Sequence, residues 1–373
     1  MSSNDSSQVF FISLRASIKE NLISKLLKLL DHVGVQEIIS PRDLVAIKLH
    51  FGEKGNTAFI RPVFIRPIVD RVKALKAVPF LTDANTLYAG TRGDSVSHIH
   101  TAIENGFAYS VVNAPVVIAD GMRGASFSEV PVNREVIKVA FLGREIVESD
   151  GLIGVAHFKG HELCGFGGAI KNLGMGCASR KGKLDQHSGL SPKVKRKKCE
   201  GCGDCVEHCA QGAISLRDKK ALIDPGLCVG CSECILVCPN GAIEIQWDRD
   251  VVTFQKKMVE YASAVLDGKR KKSLFINFLT DISPACDCYG HCDAPIVHDV
   301  GIAASKDPVA IDQASADLVN QQAALEGTCL TSCKGPGEDK FRALYPKIDW
   351  GIQLEHGERI GLGKRRYDLV TLD

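Results

Sequence analysis

The sequence predicts an α/β protein, a largely parallel sheet flanked by helices, interrupted by a small cysteine-rich α+β module. Short apolar runs alternate with amphipathic stretches before residue 193 and again after residue 249, the pattern of strands and crossover helices. Between these flanks one cysteine pattern is written twice, twenty-nine residues apart, too few copies for a solenoid and enough for one pseudo-symmetric module. At 373 residues the chain also exceeds a single compact core, so two or three units are expected.

In chain order, the first helix is expected from Ser17. Ser17 and Glu20 form a capping box there, and Ile18, Leu22, Ile23, Leu26, Leu27 and Leu30 share one face. Val45 to Leu49, Phe80 to Leu81, Val116 to Ala119 and Leu152 to Ala156 are unbroken apolar runs of the kind buried strands show. A helix is expected from Asp94 to Asn105, stopped by Gly106. Beyond the module come a helix from Thr253 to Leu266 and a strand from Leu274 to Leu279. Asp307-Pro308 opens a further helix, because proline lacks only an N–H that the first turn does not use. The α/β domain is therefore expected in two parts, residues 8–192 and 250–373, around an insertion at 193–249.

A hydrophobic fraction of 45% with 24% charged residues belongs to a folded globular chain. Met1 to Gln8 is polar, with no basic residue before Phe10, and no apolar run approaches the ~18 residues a membrane span needs. The expectation is a protein neither secreted nor membrane-embedded. Fifteen cysteines point to a reducing compartment, where clustered thiols bind metal rather than pair, and cytoplasm is the natural address. Basic runs mark both joints of the module: Lys193, Lys195, Arg196, Lys197 and Lys198 at one, Lys269 to Lys272 at the other. They read either as solvated linkers or helix ends, or as patches that neutralise the anionic clusters or dock an acidic electron donor.

The repeated pattern is Cys199-Glu-Gly-Cys202-Gly-Asp-Cys205-Val-Glu-His-Cys209, followed by Cys228-Val-Gly-Cys231-Ser-Glu-Cys234-Ile-Leu-Val-Cys238. C-x-x-C-x-x-C delivers three thiolates from one tight turn, while the fourth cysteine of each run points away and serves the other cluster. That rule groups Cys199, Cys202, Cys205 and Cys238 around one 4Fe-4S cluster, and Cys228, Cys231, Cys234 and Cys209 around a second. The segment resembles the two-cluster bacterial-type ferredoxins at all eight ligand positions and at Pro239, which makes the expected insertion a ferredoxin-like α+β module. The first run departs at Ala210, where the family usually has proline. Zinc is the alternative, but its sites pair C-x-x-C units around one ion. The formal charge of +2 would become about −2 with two clusters bound, which argues against nonspecific nucleic-acid binding.

Open parallel sheets bind ligands beyond the carboxyl ends of their strands. His50, Asp83, Asp120, His157 with Lys159, and Asp281 follow the expected strands there, although loops are polar anyway. His157 and His161, four residues apart, share a side in either a strand or a helix, which suits metal ligation or proton transfer. Gly165, Gly167 and Gly168 precede an amphipathic stretch with Lys171 one turn in, as at a helix start that holds carboxylate or phosphate. The same glycines also suit a packing turn, and they form neither a Walker A loop nor a dinucleotide fingerprint. Cys286, Cys288, His291 and Cys292 lie within seven residues and suggest a third metal or a redox-active thiol site. Cys164, Cys177, Cys329 and Cys333 could complete it, or serve simply as small core residues.

Beyond the module, five stretches carry a second resemblance: Lys48-Leu-His-Phe-Gly52, His157 to Gly176 ending Lys171-Asn-Leu-Gly-Met-Gly176, Cys286 and Cys288 leading into Pro295-Ile-Val, Asp307-Pro-Val-Ala-Ile-Asp312, and Gly361-Leu-Gly363. Over nearly its whole length the chain resembles the family called domain of unknown function 362, some members of which carry the same ferredoxin insertion. His298 stands where that family's pattern has proline. The resemblance implies the domain layout and the clusters, and no settled reaction. The function expected from the residues is a redox enzyme that passes electrons from two 4Fe-4S clusters to an anionic substrate or second cofactor. His157 and His161 would handle protons or metal, and Lys159 and Lys171 would hold the anion. The rivals are a noncatalytic electron carrier or assembly partner of a larger oxidoreductase, and a redox or iron sensor. A redox partner protein and a small-molecule substrate are expected, nucleic acid and membrane are not.

Overall fold

The apolar runs that begin at Val45, Phe80, Val116, Leu152 and Leu274 are strands in the structure, and these strands lie in one sheet. A computed structural model describes residues 6–88, 90–187, 191–209, 211–228, 233–244 and 250–372. The sheet has eight strands: β1 (Ser7–Ser13), β2 (Leu44–Lys48), β3 (Val78–Asp83), β4 (Val116–Ile118), β5 (Gly151–His157), β6 (Ser273–Leu279), β7 (Gly301–Ser305) and β8 (Tyr367–Thr371), ordered β8-β1-β7-β6-β5-β2-β3-β4. From β6 to β4 every neighbouring pair is parallel, and only β7 runs against its neighbours, β1 and β6.

Alternation along the strands divides the apolar residues between two cores. Val45, Ile47, Ile153, Val155, Leu274 and Ile276 face α1 (Leu22–His32) and α2 (Pro62–Ala74), where Leu26, Leu29, Leu30, Ile65, Ile68 and Val72 meet them. Ala46, Leu152 and Phe275 face the other way. They pack with α5 (Val251–Val265) and α6 (Pro308–Asn320) through Met258, Val259, Val309 and Ala310. All seven residues of β5 and of β6 are buried, the signature of central strands covered on both faces. Between α2 and α5 in sequence lie α3 (Ser95–Glu104), after β3, and the short helix α4 (Ala169–Gly174), after β5.

Two helix starts move. Ser17 Oγ does accept from Glu20 N at 3.2 Å, but this bond closes a separate turn and leaves Ile18 fully exposed. Asn21 caps α1 instead, accepting from Ser24 N at 3.0 Å, because it sits directly before the residues that reach the core. Likewise α5 begins at Val251, ahead of Thr253, where Asp250 accepts from the N–H groups of Val252 and Thr253. Asp94 and Asp307 cap α3 and α6 as the sequence predicts.

Residues 193–244 build a small unit with its own core. Lys193–Val194 pairs with Ile243–Glu244, and Ile214–Arg217 pairs with Lys220–Ile223. The short helices Asp204–Glu207 and Glu233–Leu236 repeat at the twenty-nine-residue offset of the cysteines, so backbone and sequence share one duplication. Cys199, Cys205, Ile214, Ala221, Ile235, Ala242 and Ile243 form the core, joined by Leu87 and Leu184 from the large sheet's side. Among the described residues no helix is long and apolar enough to cross a membrane.

Candidate functional site

A cavity of about 460 Å³ opens at the carboxyl ends of β2, β3 and β5. Of the strand-end residues, His50, Asp83, His157 and Lys159 line it. Asp120 does not; its carboxylate accepts from both the backbone N and the side-chain amide of Asn85 at 2.9 Å. Asp281 pairs with Arg61 at 3.6 Å, away from the cavity wall.

One wall is a chain of buried ion pairs. Lys48 Nζ lies 3.0 Å from Asp83, whose second oxygen faces Arg92 at 3.5 Å, and Arg92 reaches Glu53 at 3.2 Å and Tyr88. Burial works to raise the Asp83 carboxyl, but Lys48, His98, His50 and Arg92 together hold it well below the usual carboxylate range. Asn172, on α4, clamps this wall to the sheet: it accepts from Lys48 Nζ at 2.9 Å and donates to the carbonyls of Lys48 and Val155. Lys183 closes the wall, its ammonium donating to the carbonyls of Ala84 and Ala178. Burial pushes it down to about 8 against the pull of Asp120 and Asp83.

The opposite wall is the turn Cys286-Asp287-Cys288-Tyr289, closed by Tyr289 N donating to the Cys286 carbonyl at 3.2 Å. Asp287 anchors the turn: one oxygen meets His157 Nδ1 at 2.8 Å and the other lies 3.4 Å from Lys159 Nζ. His157 Nε2 faces the carbonyls of Thr280 and Asp281 at 2.8 and 3.1 Å. The expected His157 and His161 pair is therefore not assembled as a ligand set. Both His157 nitrogens face oxygen acceptors, and His161 spends Nδ1 accepting from Leu163 N at 3.1 Å. Burial, reinforced by Lys171 and Lys159, holds His161 well below the ordinary imidazole range. Lys159 likewise braces the turn, through Asp287 and the His157 carbonyl at 3.1 Å.

Lys171 is the sequence-predicted residue that reaches new chemistry. Its Nζ donates to Cys286 Sγ at 3.2 Å, and Cys286 donates to Cys288 Sγ at 2.9 Å. His50 accepts from Gly52 N at Nδ1, 3.0 Å, which leaves the proton of the neutral ring on Nε2, 3.6 Å from Cys288 Sγ. Burial pushes His50 down to about 3, with Arg92 adding to it, so the ring is neutral. The hydrogen bond to Cys288 and burial push the Cys286 thiol up to about 12. The same bond, with Lys171, Arg92 and Lys159, holds Cys288 well below a free thiol despite its burial.

Two expectations fail here. The anion site at the start of α4 is already filled from within: Asp312 accepts from Ala169 N at 2.7 Å and Ile170 N at 2.9 Å. Gly168 is glycine because a Cβ would meet Asp312 Oδ1 at 2.2 Å, while Gly165 and Gly167 make room for Trp350 and Lys171, so the glycine run is a packing turn. The third metal site proposed at Cys286, Cys288 and Cys292 loses its last member, since Cys292 Sγ turns to Thr57 Oγ1 at 3.1 Å. Cys164 is directed to Met258 at 3.7 Å and Cys177 to the Asn172 carbonyl at 3.9 Å, and neither completes the set. Among the described residues, no group of three or more His, Cys, Asp or Glu is arranged to hold a metal ion.

In the small unit, Cys199, Cys202, Cys205 and Cys238 line one concavity. Three sulfurs accept backbone N–H bonds: Cys199 from Ala221 at 3.4 Å, Cys209 from Ala213 at 3.3 Å and Cys238 from Ala242 at 3.2 Å. The last two bonds are related by the twenty-nine-residue repeat. Burial raises the Cys205 thiol, and Cys202, Cys199 and Cys238 add to it. Cys228 and Cys234 are half-buried, while Cys231 and Ala210 lie outside the described residues. Of the basic joints, Lys272 pairs with Asp43 at 3.0 Å and Lys269 donates to the carbonyls of Val147 and Ser149, which makes that run structural. Lys193, Lys195, Arg196, Lys197 and Lys198 are exposed beside Cys199, and Lys195 pairs with Glu244.

The sequence alone did not mark Arg92, Lys183 and Glu53 as cavity residues, nor Asp287 as the buried anchor behind the cysteine turn. Asp287 was visible only as the residue between two cysteines, and Lys183 sits in a basic stretch that reads as solvated.

Among solved structures, the chain is similar to the lactate racemase apoprotein from Thermoanaerobacterium thermosaccharolyticum. Identity is 13% and the TM-score 0.41, covering 87% of this chain and 60% of that one. It is similar also to a structural-genomics target from Thermotoga maritima, at 10% identity and a TM-score of 0.36, covering 91% of this chain and 58% of that one. The chain spans less than two thirds of the length of either. No curated protein matches it. The model of the domain of unknown function DUF362 matches residues 45–317, from β2 through the cysteine turn and most of α6, and the chain belongs to that family.

Proposed function

We propose that this protein is an iron-sulfur redox enzyme in which a ferredoxin-type module serves an anionic small molecule held in the 460 Å³ cavity. The observation that carries the reading is one shared residue. Leu87 belongs to the core that surrounds Cys199 and Cys205, and it also lines the cavity. Electron source and substrate pocket would then be separated by little more than a side chain.

Cys199, Cys202, Cys205 and Cys238 would hold one 4Fe-4S cluster, and Cys228, Cys231, Cys234 and Cys209 the other. What supports this is the common concavity of the first four thiols and the N–H bonds to sulfur, a donor set suited to thiolates that carry cluster charge. When bound, the clusters supply single electrons. The chain's own residues do the rest. Lys171 and Lys183 bring positive charge to a wall whose other cations, Lys48 and Arg92, are already paired with Asp83 and Glu53. An anion gains from such a site because its cations are fixed in a buried wall. The exposed basic run beginning at Lys193 offers an acidic redox partner a landing place beside Cys199.

Protein purified without oxygen should contain acid-labile sulfide equal to its iron and give EPR signals of two reduced 4Fe-4S clusters. Stoichiometric zinc without labile sulfide overturns the reading. Bound small molecules released from the same sample should be anionic, and replacing Lys183 with Met should empty the cavity while iron content stays constant.

A further inference from the structure

The turn at Cys286 to Tyr289 is more than a wall of the cavity. A cysteine kept only as a small core residue has apolar neighbours, as Cys164 has in Met258. Cys286 and Cys288 instead stand 2.9 Å apart, thiol to sulfur, with the Lys171 ammonium 3.2 Å from one and the His50 ring 3.6 Å from the other. Their roles are unequal. Both line the cavity, but Cys286 is buried whereas Cys288 is half-buried, so a molecule entering it meets the more accessible Cys288 first. The turn is held from behind by Asp287, through His157 and Lys159, and by Glu53 N donating to the Asp287 carbonyl at 3.1 Å. Both sulfurs are therefore fixed on a rigid support, close enough to bond after a small approach.

We propose that Cys286 and Cys288 form a dithiol–disulfide couple that exchanges with a small anionic disulfide bound in the cavity, Cys288 attacking and Cys286 resolving.

The steps balance. The Cys288 thiolate attacks one sulfur of R–S–S–R; the Cys288–sulfur bond forms, the substrate S–S bond breaks, and RS⁻ leaves with the electron pair. That leaving thiolate takes the Cys286 proton and departs as RSH. The Cys286 thiolate then attacks Cys288 Sγ, closing the internal disulfide and expelling the second RS⁻. Two electrons pass from protein to substrate, and in reverse a pair of small thiols reduces the protein. Lys171, beside Cys286, stabilises the thiolate formed in the second step. The positive charge of Lys171 and Lys183 selects the sign of R. None of these steps needs an iron-sulfur cluster, so the couple stands or falls separately from the function proposed above.

The test uses the full chain, its iron and sulfide content assayed on the same sample. Reduced protein is exposed to 3,3′-dithiodipropionate, a dianion, or to cystamine, a dication of similar size, then alkylated, digested and read by mass spectrometry. The expected result is loss of alkylation at Cys286 and Cys288 together, with Cys292 still alkylated, reversed by excess dithiothreitol. Oxidation should be about tenfold faster with the dianion. Cys286→Ser should stop at a mixed disulfide on Cys288, and Cys288→Ser should form neither adduct nor internal bond. Alkylation of both cysteines unchanged at every disulfide concentration, or a bond made to Cys292 instead, overturns the couple. Equal or faster reaction with cystamine overturns the anionic substrate class.

Discussion

The cysteine module and the cavity differ in how their parts are scattered along the chain. Around the module's concavity, three of the four cysteines fall between residues 199 and 205, and the fourth belongs to the second copy of the same motif. In the cavity, the contact between His50 and Cys288 joins residues 238 positions apart. Chemistry gathered by one tight turn leaves a spacing that can be read. Chemistry gathered by strand ends leaves only single polar residues after apolar runs, which resemble ordinary loop composition.

Four outcomes would break or sharpen this contrast. The largest effect is expected in the module. Cys238→Ser should remove about half of the iron and labile sulfide, extinguishing the EPR signal of the cluster shared with residues 199 to 205 and sparing the other. Loss of the other signal alone would mean that each run serves its own cluster. In the cavity, Lys48→Met leaves Asp83 buried beside a missing cation. It should cost about 3–5 kcal/mol in urea unfolding, partly recovered by adding Asp83→Asn. A cost under ~1 kcal/mol would show that Arg92 suffices alone.

Lys183 provides the pH test. Its folded value of about 8 lies below the ordinary 10.5, so between those limits the unfolded chain binds the proton more tightly. Stability from this group must therefore rise as pH rises from 8 to 10.5, by up to roughly 3 kcal/mol. Lys183→Met should lack that rise, and urea midpoints of both proteins across the window would show it. Parallel curves would remove Lys183 from the set of perturbed cavity groups. The smallest expected effect is at Asp312. Asp312→Asn presents an amide donor to the N–H of Ala169 or Ile170 and should cost about 1–3 kcal/mol, with Cys286 chemistry unchanged.

Much of the body was legible because burial on both faces writes continuous apolar runs. The strands β2 to β6 were found within a residue or two of their ends, though Phe80 to Leu81 was only the middle of β3. The edge was not. Gly301–Ser305 is a strand of small residues with weak intrinsic preference for extended structure, and Tyr367–Thr371 is half-exposed, so neither shows a clear pattern. Ile18 misled because helical spacing continued into a turn that nothing buries. Within the site, Lys171, His50 and the Cys286 and Cys288 pair were each visible, but not that they meet, and Arg92 and Lys183 arrive from segments the sequence did not mark. Of the glycines at 165, 167 and 168, only Gly168 lies against a negative charge, and it is not that of a bound anion. That charge belongs to Asp312, 143 residues away from the N–H of Ala169.

The pairing of Lys193–Val194 with Ile243–Glu244 closes the module at its base. The first and last residues of this segment of some fifty thus lie side by side, as the two ends of a short hairpin do. Loop-closure entropy grows only slowly with length, and here the zipped stem absorbs that cost before β5 and β6 are reached. Leu87 and Leu184 mark where the core of the small unit meets the sheet's side of the molecule.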